Sequence, residues 1–557
     1  MTHTFKVIAL LGLAVLGIEG AKARQVKAQP WPTVLPVIQQ PVFKKDTVSI
    51  VKNGAVSDGI ALNTNAINKT IDEVSKSGGG VVLIPRGFWV TGPIELKSNV
   101  NLHIAADAYV SFTEDLSQYK LVETNWEGLS AVRNQSPIWG TNLENIAITG
   151  KGIVDGNGNA WRMVKKDKLT ETQWRKLLAS GGRLSDDQKI WYPSESSYKG
   201  SKYKGAGVIA GGKTIKDFES IKDFLRPNLL VLTNCKKVLL EGVTFQNSPA
   251  WNLHPLMCED LTVRNVYAKN PWYAQNGDGI DVESCKNVLI ENSTFDVGDD
   301  GICIKSGRDE QGRKRAKPTE NLIARNNVVY HAHGGFVIGS EMSGGARNLY
   351  IYDNTFIGTD IGLRFKTTRG RGGVVENIFV KNINMKDIPG EAILFDMYYA
   401  AVDPVPLAGE KREAPKVELL PVTDATPIFR NFYISNVVAD GAEKSIFVRG
   451  LPEMNISNIF LENITIQAKK GIEIEEAKDV YLKNVKVIAA DSKPLVHILN
   501  STNIGFDTLV YKPGADLLFN INGKRSANIN LSNTKTSDAK AVVEYNQEAK
   551  KNSLKTK

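Results

Sequence analysis

The sequence predicts an all-β protein that folds as a right-handed, single-stranded parallel β-helix, a solenoid of stacked rungs. Three observations predict this class. A short segment recurs about every 25 residues, its apolar residues alternate with polar ones, and Asn, Asp or Gly ends each run. Leucine-rich repeats have a similar period, but the leucine ladder and the helix of each repeat are absent from this sequence.

The repeat is clearest around Cys235, Cys258 and Cys285, each of which stands two residues before an equivalent position. Asn tolerates the left-handed backbone of a solenoid corner, and stacked Asn side chains can hydrogen-bond between rungs. The interval from Asn377 to Asn431 is about twice the usual one, which predicts two rungs, with Ala392–Phe395 in the unmarked rung. The equivalent positions are Lys237, Asp260, Asn287, Asn321, Asn348, Asn377, Asn431, Asn458, Asp479, Asn503 and Asn528.

The four cysteines, which include Cys303, are too few for a disulfide scaffold in 557 residues. Cysteines at equivalent positions stack inside the coil, where we expect buried thiols. Adjacent rungs also bring Cα atoms close enough for a disulfide, so the sequence leaves their redox state open.

The ends of the solenoid and one interruption can also be placed. An amphipathic stretch from about Asn63 to Ser77 predicts a helix that caps the first rung. The coil is expected over residues 45–535, after a linker at 29–44 and before a basic, disordered tail at 536–557. Residues 160–226 lack the repeat and predict a partly helical insertion over one face, often the binding face of a solenoid.

The N-terminus predicts export. A lysine precedes an uncharged apolar stretch from Val7 to Ile18, and sites of the small-x-small type follow, so residues 1–28 are expected to be a signal peptide. The protein is therefore expected in the periplasm or outside the cell, and no transmembrane helix is expected.

Lys and Arg exceed Asp and Glu by 9 over the whole chain, which favours an anionic partner.

Four polar clusters follow one another at about one-rung spacing, counting the loops between rungs: Gln275–Asp281, Gly298–Gly307, His331–Ser340 and Gly362–Lys366. Stacking would bring them together on one wall of the coil. They contribute the candidate site residues Asn276, Asp278, Asp299, Asp300, His333, Arg364 and Lys366.

Close carboxylates repel one another, so such a group usually binds a cation or performs proton chemistry. Calcium is one candidate, because Asp and backbone oxygens suit it. The other candidate is glycoside hydrolysis by a pair of carboxyl groups that flank the sugar bond. Hydrolysis with inversion requires these two carboxyl groups to lie roughly 6.5–9.5 Å apart. Asp299 and Asp300 can both face the cleft only where the strand ends or bulges, as the neighbouring glycines allow. Arg364 and Lys366 alternate correctly to bind a sugar carboxylate.

The motifs resemble those of the polygalacturonase family, glycoside hydrolase family 28. Gly298-Asp299-Asp300 matches the family's Gly-Asp-Asp outright. Asn276-Gly277-Asp278 is similar to Asn-Thr-Asp, Ala332-His333-Gly334 to Gly-His-Gly, and Arg364-Phe365-Lys366 to Arg-Ile-Lys. The resemblance extends over about residues 45–510. It implies a parallel β-helix that hydrolyses galacturonic-acid linkages of pectin with inversion and without a metal or other cofactor.

The resemblance also implies roles. Asp299 would be the general acid, Asp278 and Asp300 would hold and deprotonate the water, and His333 would support the acid. Arg364 and Lys366 would bind the galacturonate carboxylate at the cleaved residue, and Asn276 would also bind the substrate. A family tyrosine corresponds to either Tyr398 or Tyr399.

The segments Gly335–Gly345 and Arg369–Gly373 resemble bacterial exo-acting members, and the 160–226 insertion could supply the wall that exo action needs. The expected partner is an acidic polysaccharide, either polygalacturonate or rhamnogalacturonan fragments. A rhamnogalacturonan galacturonohydrolase, a calcium-dependent pectate lyase and a non-catalytic pectin-binding solenoid remain as alternatives. Nucleic-acid binding is disfavoured because no basic-aromatic run or known module occurs.

Overall fold

In the computed structural model, one chain winds into a right-handed parallel β-helix, as the repeat predicts. The structure describes residues 29–402, 405 and 415–557. The predicted signal peptide, residues 1–28, lies outside the described residues. Within the described part of the chain, no helix combines the length and the apolar character that crossing a membrane requires.

A typical rung contributes one strand to each of three walls, and the strands of the coil pair in parallel with the equivalent strands of neighbouring rungs. The strands confined to the first wall are Thr47–Ser49, Gly80–Ile84, Val100–Ile104, Glu144–Gly150, Lys236–Glu241, Glu259–Arg264, Lys286–Glu291, Thr319–Arg325, Ala527–Ser532 and Leu554–Thr556.

The second wall is built from shorter strands and lies next along the chain in each rung. Its strands are Asp58–Leu62, Gly87–Thr91, Ala108–Phe112, Ile153–Asp155, Thr244–Gln246, Tyr267–Lys269, Thr294–Asp296 and Val328–Tyr330.

The third wall carries the predicted site residues. Its strands are Ile94–Glu95, Ile138–Thr141, Leu230–Thr233, Leu253–Leu256, Ile280–Glu283, Asp300–Lys305, Gly334–Ile338, Leu363–Lys366, Val496–Leu499, Phe519–Asn522 and Val543–Asn546. Longer strands run around the corners from one wall to the next: Ala346–Ile357, Val374–Asp396, Ile428–Arg449, Ile456–Glu475, Ala477–Ala489 and Thr502–Tyr511.

The predicted corner positions all adopt the left-handed backbone conformation. Their φ angles lie between +51° at Lys237 and +60° at Asn431. The stacked Asn side chains form a ladder in which each amide nitrogen donates to the Oδ1 atom of the preceding rung, for example Asn458 to Asn431 at 3.1 Å. The ladder confirms the predicted register and the reason for the recurring Asn.

The long interval between Asn377 and Asn431 was wrongly predicted to contain an extra rung. The Asn431 amide donates directly to Asn377 at 3.2 Å, and Ile393 pairs with Ile446 of the next rung. Ala392–Phe395 therefore belongs to the same rung as Asn377, and the surplus residues form a loop. The length of an interval cannot by itself distinguish a rung from a loop.

The core is the interior of the coil, filled by inward-facing Ile, Leu, Val and Phe side chains from all three walls. Alternation along each strand buries these residues.

All four cysteines are free and buried. Cys258 and Cys285 are neighbours in the stack, with the Cys258 amide 3.3 Å from the Cys285 sulfur. The expectation of buried thiols is confirmed.

A helix, α1 (Thr64–Lys76), closes the N-terminal end of the coil as predicted. Its buried face carries Ile67, Ile71 and Val74, which join the main core. The 3₁₀ helix Ile50–Asn53 packs beside it. The apolar end of the first rung is thereby covered.

The 160–226 insertion is partly helical, as predicted. It contains α2 (Glu171–Ala179), α3 (Glu195–Ser201) and a 3₁₀ segment, Ile215–Phe224. A small antiparallel sheet accompanies them, made of Val164–Lys165, Arg183–Leu184 and Ile190–Tyr192. The insertion also contains a 3₁₀ turn at Lys166–Lys168. Elsewhere, the coil is interrupted by the antiparallel pair Leu121–Trp126 and Leu129–Asn134, the helix α4 (Asp309–Arg315), and 3₁₀ turns at Leu116–Gln118, Gly158–Ala160 and Thr536–Asp538.

Both ends of the described chain differ from the sequence predictions. The expected linker at 29–44 packs along the outside of the coil, where the Trp31 ring contacts Tyr350 and Phe379 edge-on. The expected disordered tail contains the strands Val543–Asn546 and Leu554–Thr556, which pair with the preceding rung. These strands are short and about half of their residues are polar, so the alternation of the repeat is weak there.

Candidate active site

The candidate site lies on the third wall, where four consecutive strands stack. Ile280–Glu283 pairs with Asp300–Lys305, which pairs with Gly334–Ile338, which pairs with Leu363–Lys366. The four predicted polar clusters therefore converge, as their spacing indicates.

The two aspartates of Gly-Asp-Asp face the same region because the strand begins between them. Asp300 is the first residue of its strand, and Asp299 precedes it with its Oδ1 accepting a hydrogen bond from the Asp300 amide at 3.0 Å. The flanking glycines permit close packing, since a Cβ at Gly301 would lie 2.4 Å from Val329. This is the strand end that the sequence analysis required.

Two cations hold the Asp300 carboxylate. Arg364 Nη1 donates to Oδ1 at 3.1 Å and Lys366 Nζ to Oδ2 at 2.7 Å. All three side chains are buried. Burial alone would raise the pKa of Asp300, but the Lys366 and Arg364 charges hold it below its usual value of 3.8. Asp300 is therefore an ionised carboxylate.

Asp299 pairs with His333 at the surface of the cleft, with 3.2 Å between Oδ1 and the imidazole Nδ1. Burial favours neutral forms of both groups. Their mutual attraction wins, so the pKa of Asp299 falls below its usual range and that of His333 rises above 6.5. The pair holds one proton, which rests on the imidazole.

Asp278 has the opposite environment. It is buried, and its Oδ1 has no hydrogen-bond partner among the described residues. Burial, followed by the Asp281 and Asp299 carboxylates, raises the pKa of Asp278 well above 3.8. The resting site therefore favours a proton on Asp278, whereas the resemblance assigns the acid role to Asp299.

The three aspartates are close together. One oxygen each of Asp278, Asp299 and Asp300 lies within 4.8 Å of the others. This is closer than the roughly 6.5–9.5 Å typical of inverting glycosidases. The cluster has the dimensions of a cation site, but Arg364 and Lys366 already supply positive charge to it.

A cleft of about 590 Å³ opens over these residues and is bounded by the insertion. Its lining includes Lys165, Asp167, Lys168, Trp272, Tyr273, Asn276, Asp299, His333, Arg364, Lys366 and Tyr399. Trp272 is 53% exposed, which offers a ring face to a sugar.

The structure distinguishes the two tyrosines that the sequence left open. Tyr399 lines the cleft, with Lys366 Nζ 4.9 Å from its ring centroid. Tyr398 packs against the core, and its ring lies near Arg369 and Arg449 instead. Tyr399 is the tyrosine of the site.

Asn276 is positioned by a residue that the sequence analysis missed. It lines the cleft, and its Oδ1 accepts a hydrogen bond from the buried Arg226 Nη2 at 3.0 Å. Arg226 also donates to the carbonyls of Pro249 and Gln275. It stands at the end of the insertion, outside any motif, so no local signal identifies it.

A buried layer lies beneath the aspartates. Lys305 Nζ is 3.5 Å from Asp281 Oδ1 and 2.9 Å from Glu341 Oε2. Burial lowers the pKa of Lys305, but Cys303 and the carboxylates of Glu341, Asp281 and Asp278 together hold it well above 10.5. Asp281 and Lys305 belong to the predicted polar clusters, but only the fold reveals that Glu341 joins them.

The comparisons with known proteins agree with this geometry. The model of glycosyl hydrolases family 28 matches residues 176–423, a span that contains every predicted site residue. The family 28 resemblance is confirmed, and the chain is a glycoside hydrolase. The match begins inside the insertion and omits the last rungs of the solenoid.

Several family relatives share most of this length. The chain is 26% identical to a probable polygalacturonase of Vitis vinifera, over 83% of this chain and 82% of that one. It is 29% identical to an exo-poly-alpha-D-galacturonosidase of Dickeya chrysanthemi, over 63% and 57%. Among solved structures, a hyperthermoactive exopolygalacturonase from Thermotoga maritima matches with a TM-score of 0.60 and 29% identity, over 85% of this chain and 94% of that one.

Proposed function

We propose that this protein is an exo-acting polygalacturonase that removes α-linked galacturonic acid from the end of a pectic chain with inversion. The observation that carries the proposal is the convergence of three aspartates with Arg364 and Lys366 in one cleft. Carboxyl groups supply acid–base chemistry, and adjacent cations select a substrate that bears carboxylates. The named relatives support the same activity.

Arg364 and Lys366 bind the substrate carboxylate beside the cleaved bond. Each already donates to Asp300, yet each retains further donors: Arg364 Nε has no hydrogen-bond partner among the described residues. The Tyr399 ring covers the same two cations. A neutral sugar would offer the remaining donors of these two cations no anionic acceptor, so we expect a strong preference for galacturonate.

The Asp299–His333 pair donates the proton to the leaving oxygen. The proton rests on His333 in the free site, and the Asp299 and His333 side chains both line the cleft. The proton passes from His333 Nδ1 to the Asp299 carboxylate, which donates it to the glycosidic oxygen as the bond breaks, so Asp299 ends as a carboxylate and His333 as a neutral imidazole. The pair thus acts as an acid with one proton, which reconciles the role of Asp299 with its lowered pKa.

Asp300 activates the water, because its two cations keep it ionised. Asp278 orients the same water. The short separation between the carboxyl groups alone would favour retention, whereas the family resemblance implies inversion. Proton NMR of the first anomer released distinguishes the two: inversion is expected, and retention would refute this part of the proposal.

Exo action follows from the insertion. Residues 165–168 reach the catalytic cleft from outside the coil and bound it on one side. We infer that this boundary blocks one end of the cleft, so that a chain terminus enters and the chain interior is excluded.

Product analysis tests the proposal. Oligogalacturonates labelled at the reducing end are incubated with the enzyme, and products are separated over the first minutes. We expect release of the terminal unit and stepwise shortening of the labelled chain. Intermediate fragments from the outset would indicate endo action.

Three controls address the alternatives. Rhamnogalacturonan fragments cleaved faster than oligogalacturonates would indicate the related hydrolase. Activity lost in chelator, together with an unsaturated product, would indicate a lyase. Binding without turnover on any pectic substrate would indicate a non-catalytic solenoid.

We also propose that the protein is exported to the periplasm or the medium, because its substrate is an extracellular polymer and residues 1–28 have the pattern of a signal peptide. Detection of the mature N-terminus in a periplasmic or medium fraction tests this. The full-length chain confined to the cytoplasm would refute it.

A further inference from the structure

We propose a second sugar-binding site on the third wall, which holds a distal uronate of the same chain whose end is cleaved in the catalytic cleft. The site is a pocket of about 270 Å³ formed by Lys444, Lys470, Glu473, Lys493 and His497 with Asp491. This proposal rests on the proposed function and names a second place where the substrate is held.

The pocket and the catalytic cleft share one wall. Arg364 pairs with Leu394, which pairs with Phe447, which pairs with Glu473, which pairs with His497. Adjacent strands lie about 4.8 Å apart, so the pocket lies about 14–19 Å from the Arg364 rung along the coil axis. A linear polymer that follows the axis from the cleft reaches the pocket.

The pocket contains two exposed cations. Lys493 is exposed and forms no ion pair recorded among the described residues, and Lys470 is about half exposed, with only Glu443 beside it at 3.2 Å. Lys444 is different, because it is half-buried and held by Glu473. Lys470 and Lys493 are therefore the groups available to a carboxylate from solvent.

The other lining residues suit sugar hydroxyls. The carboxylates of Glu473 and Asp491 accept hydrogen bonds, and His497 offers a ring nitrogen 4.0 Å from Glu475, too distant for a direct hydrogen bond. Burial lowers the pKa of His497 below 6.5, so the imidazole is neutral. Acceptors, a neutral imidazole and two cations together match a ring that bears both hydroxyls and a carboxylate.

The surface between the two pockets is compatible with this path. Phe447 lies midway, with Lys444 Nζ 3.9 Å and the Arg449 guanidinium 5.1 Å from its ring centroid. An aromatic ring flanked by cations is a suitable contact for an acidic sugar. Both cations are also paired with acids, Lys444 with Glu473 and Arg449 with Asp396, so the ring face is the contact that the intermediate rungs offer to the sugar.

Chain-length dependence of binding tests the proposal. In the full-length Asp299→Asn protein, calorimetry measures the affinities of a galacturonate dimer and an octamer. The Lys470→Ala/Lys493→Ala variant is compared with Lys478→Ala/Lys486→Ala, a matched pair of exposed lysines on the other walls. Removal of the pocket lysines is expected to weaken octamer binding about tenfold and leave dimer binding unchanged, because only the octamer spans both sites.

Three results would overturn the second site: an unchanged octamer affinity, an equal loss for the dimer, or an equal loss in the control pair. Turnover by the wild-type enzyme separates this proposal from the proposed function. A lysine-dependent octamer affinity in a protein without turnover would keep the pocket and refute the hydrolase.

Discussion

Asp300→Asn should destabilise the protein, and a second substitution should restore part of the loss. The Asp300 carboxylate is 2% exposed and lies between two cations that are each 6% exposed. An asparagine of the same shape leaves Arg364 and Lys366 buried, close together and without their shared anion. Breaking a buried ion pair by removal of one partner costs about 3–5 kcal/mol, so we expect a loss of that size in the free energy of unfolding.

The Asp300→Asn/Lys366→Met variant removes one of the two unpaired charges. Each buried charged group without a partner costs at least about 1–3 kcal/mol, and the double variant should recover that amount relative to Asp300→Asn. Urea unfolding followed by tryptophan fluorescence measures both changes. A single variant as stable as wild type, or a double variant less stable than the single, would refute the argument that Asp300 exists as the counter-ion of these cations.

Three further predictions concern other parts of the molecule. Tyr399→Ala should lower kcat/KM on oligogalacturonates at least about tenfold through lost contact with the cleft, whereas Tyr398→Ala should affect stability more than kinetics; equal kinetic effects would contradict this assignment. In the folded protein the pKa of His333 is raised above 6.5 and that of Asp299 is lowered below 3.8. The attraction between the two groups therefore stabilises the fold fully between pH 3.8 and pH 6.5, the ordinary pKa values of the two side chains. This stabilisation is lost as the pH rises through the folded pKa of His333. His333→Gln should therefore destabilise the protein at pH 5 more than at pH 9 in urea titrations, and a loss independent of pH would count against the ion pair. Asn431→Ala should cost about 2–3 kcal/mol, from left-handed strain and lost ladder bonds, and Asn431→Gly should cost less because glycine accepts a φ of +60°; equal losses would argue against strain.

The fold could be predicted largely because its constraint is local and repeated. Every first-wall corner needs a left-handed residue, so Asn recurs at positions such as Asn287 and Asn348, and the period follows. The site could be predicted because residues that are one rung apart in the sequence lie next to each other when the rungs stack. The extra rung between Asn377 and Asn431 was wrong because a loop of one period has the same length as a rung.

Other features depend on contacts between distant segments. Arg226 reaches Asn276 from the end of the insertion, and Trp272 enters the cleft from a loop, yet neither belongs to a repeated pattern. Glu341 meets Lys305 only after the coil has closed. The raised pKa of Asp278 likewise follows from burial, which spacing alone does not reveal.

Hydrolysis of polygalacturonate by Asp299→Asn, with substrate binding measured in parallel, tests the central claim most directly. The substitution preserves the shape of the side chain but removes its proton chemistry. We predict a fall in kcat of at least about 10²–10⁴-fold, with the dissociation constant for oligogalacturonate nearly unchanged. A variant that hydrolyses the polymer at the wild-type rate would contradict the assignment of this carboxyl cluster as the hydrolytic site.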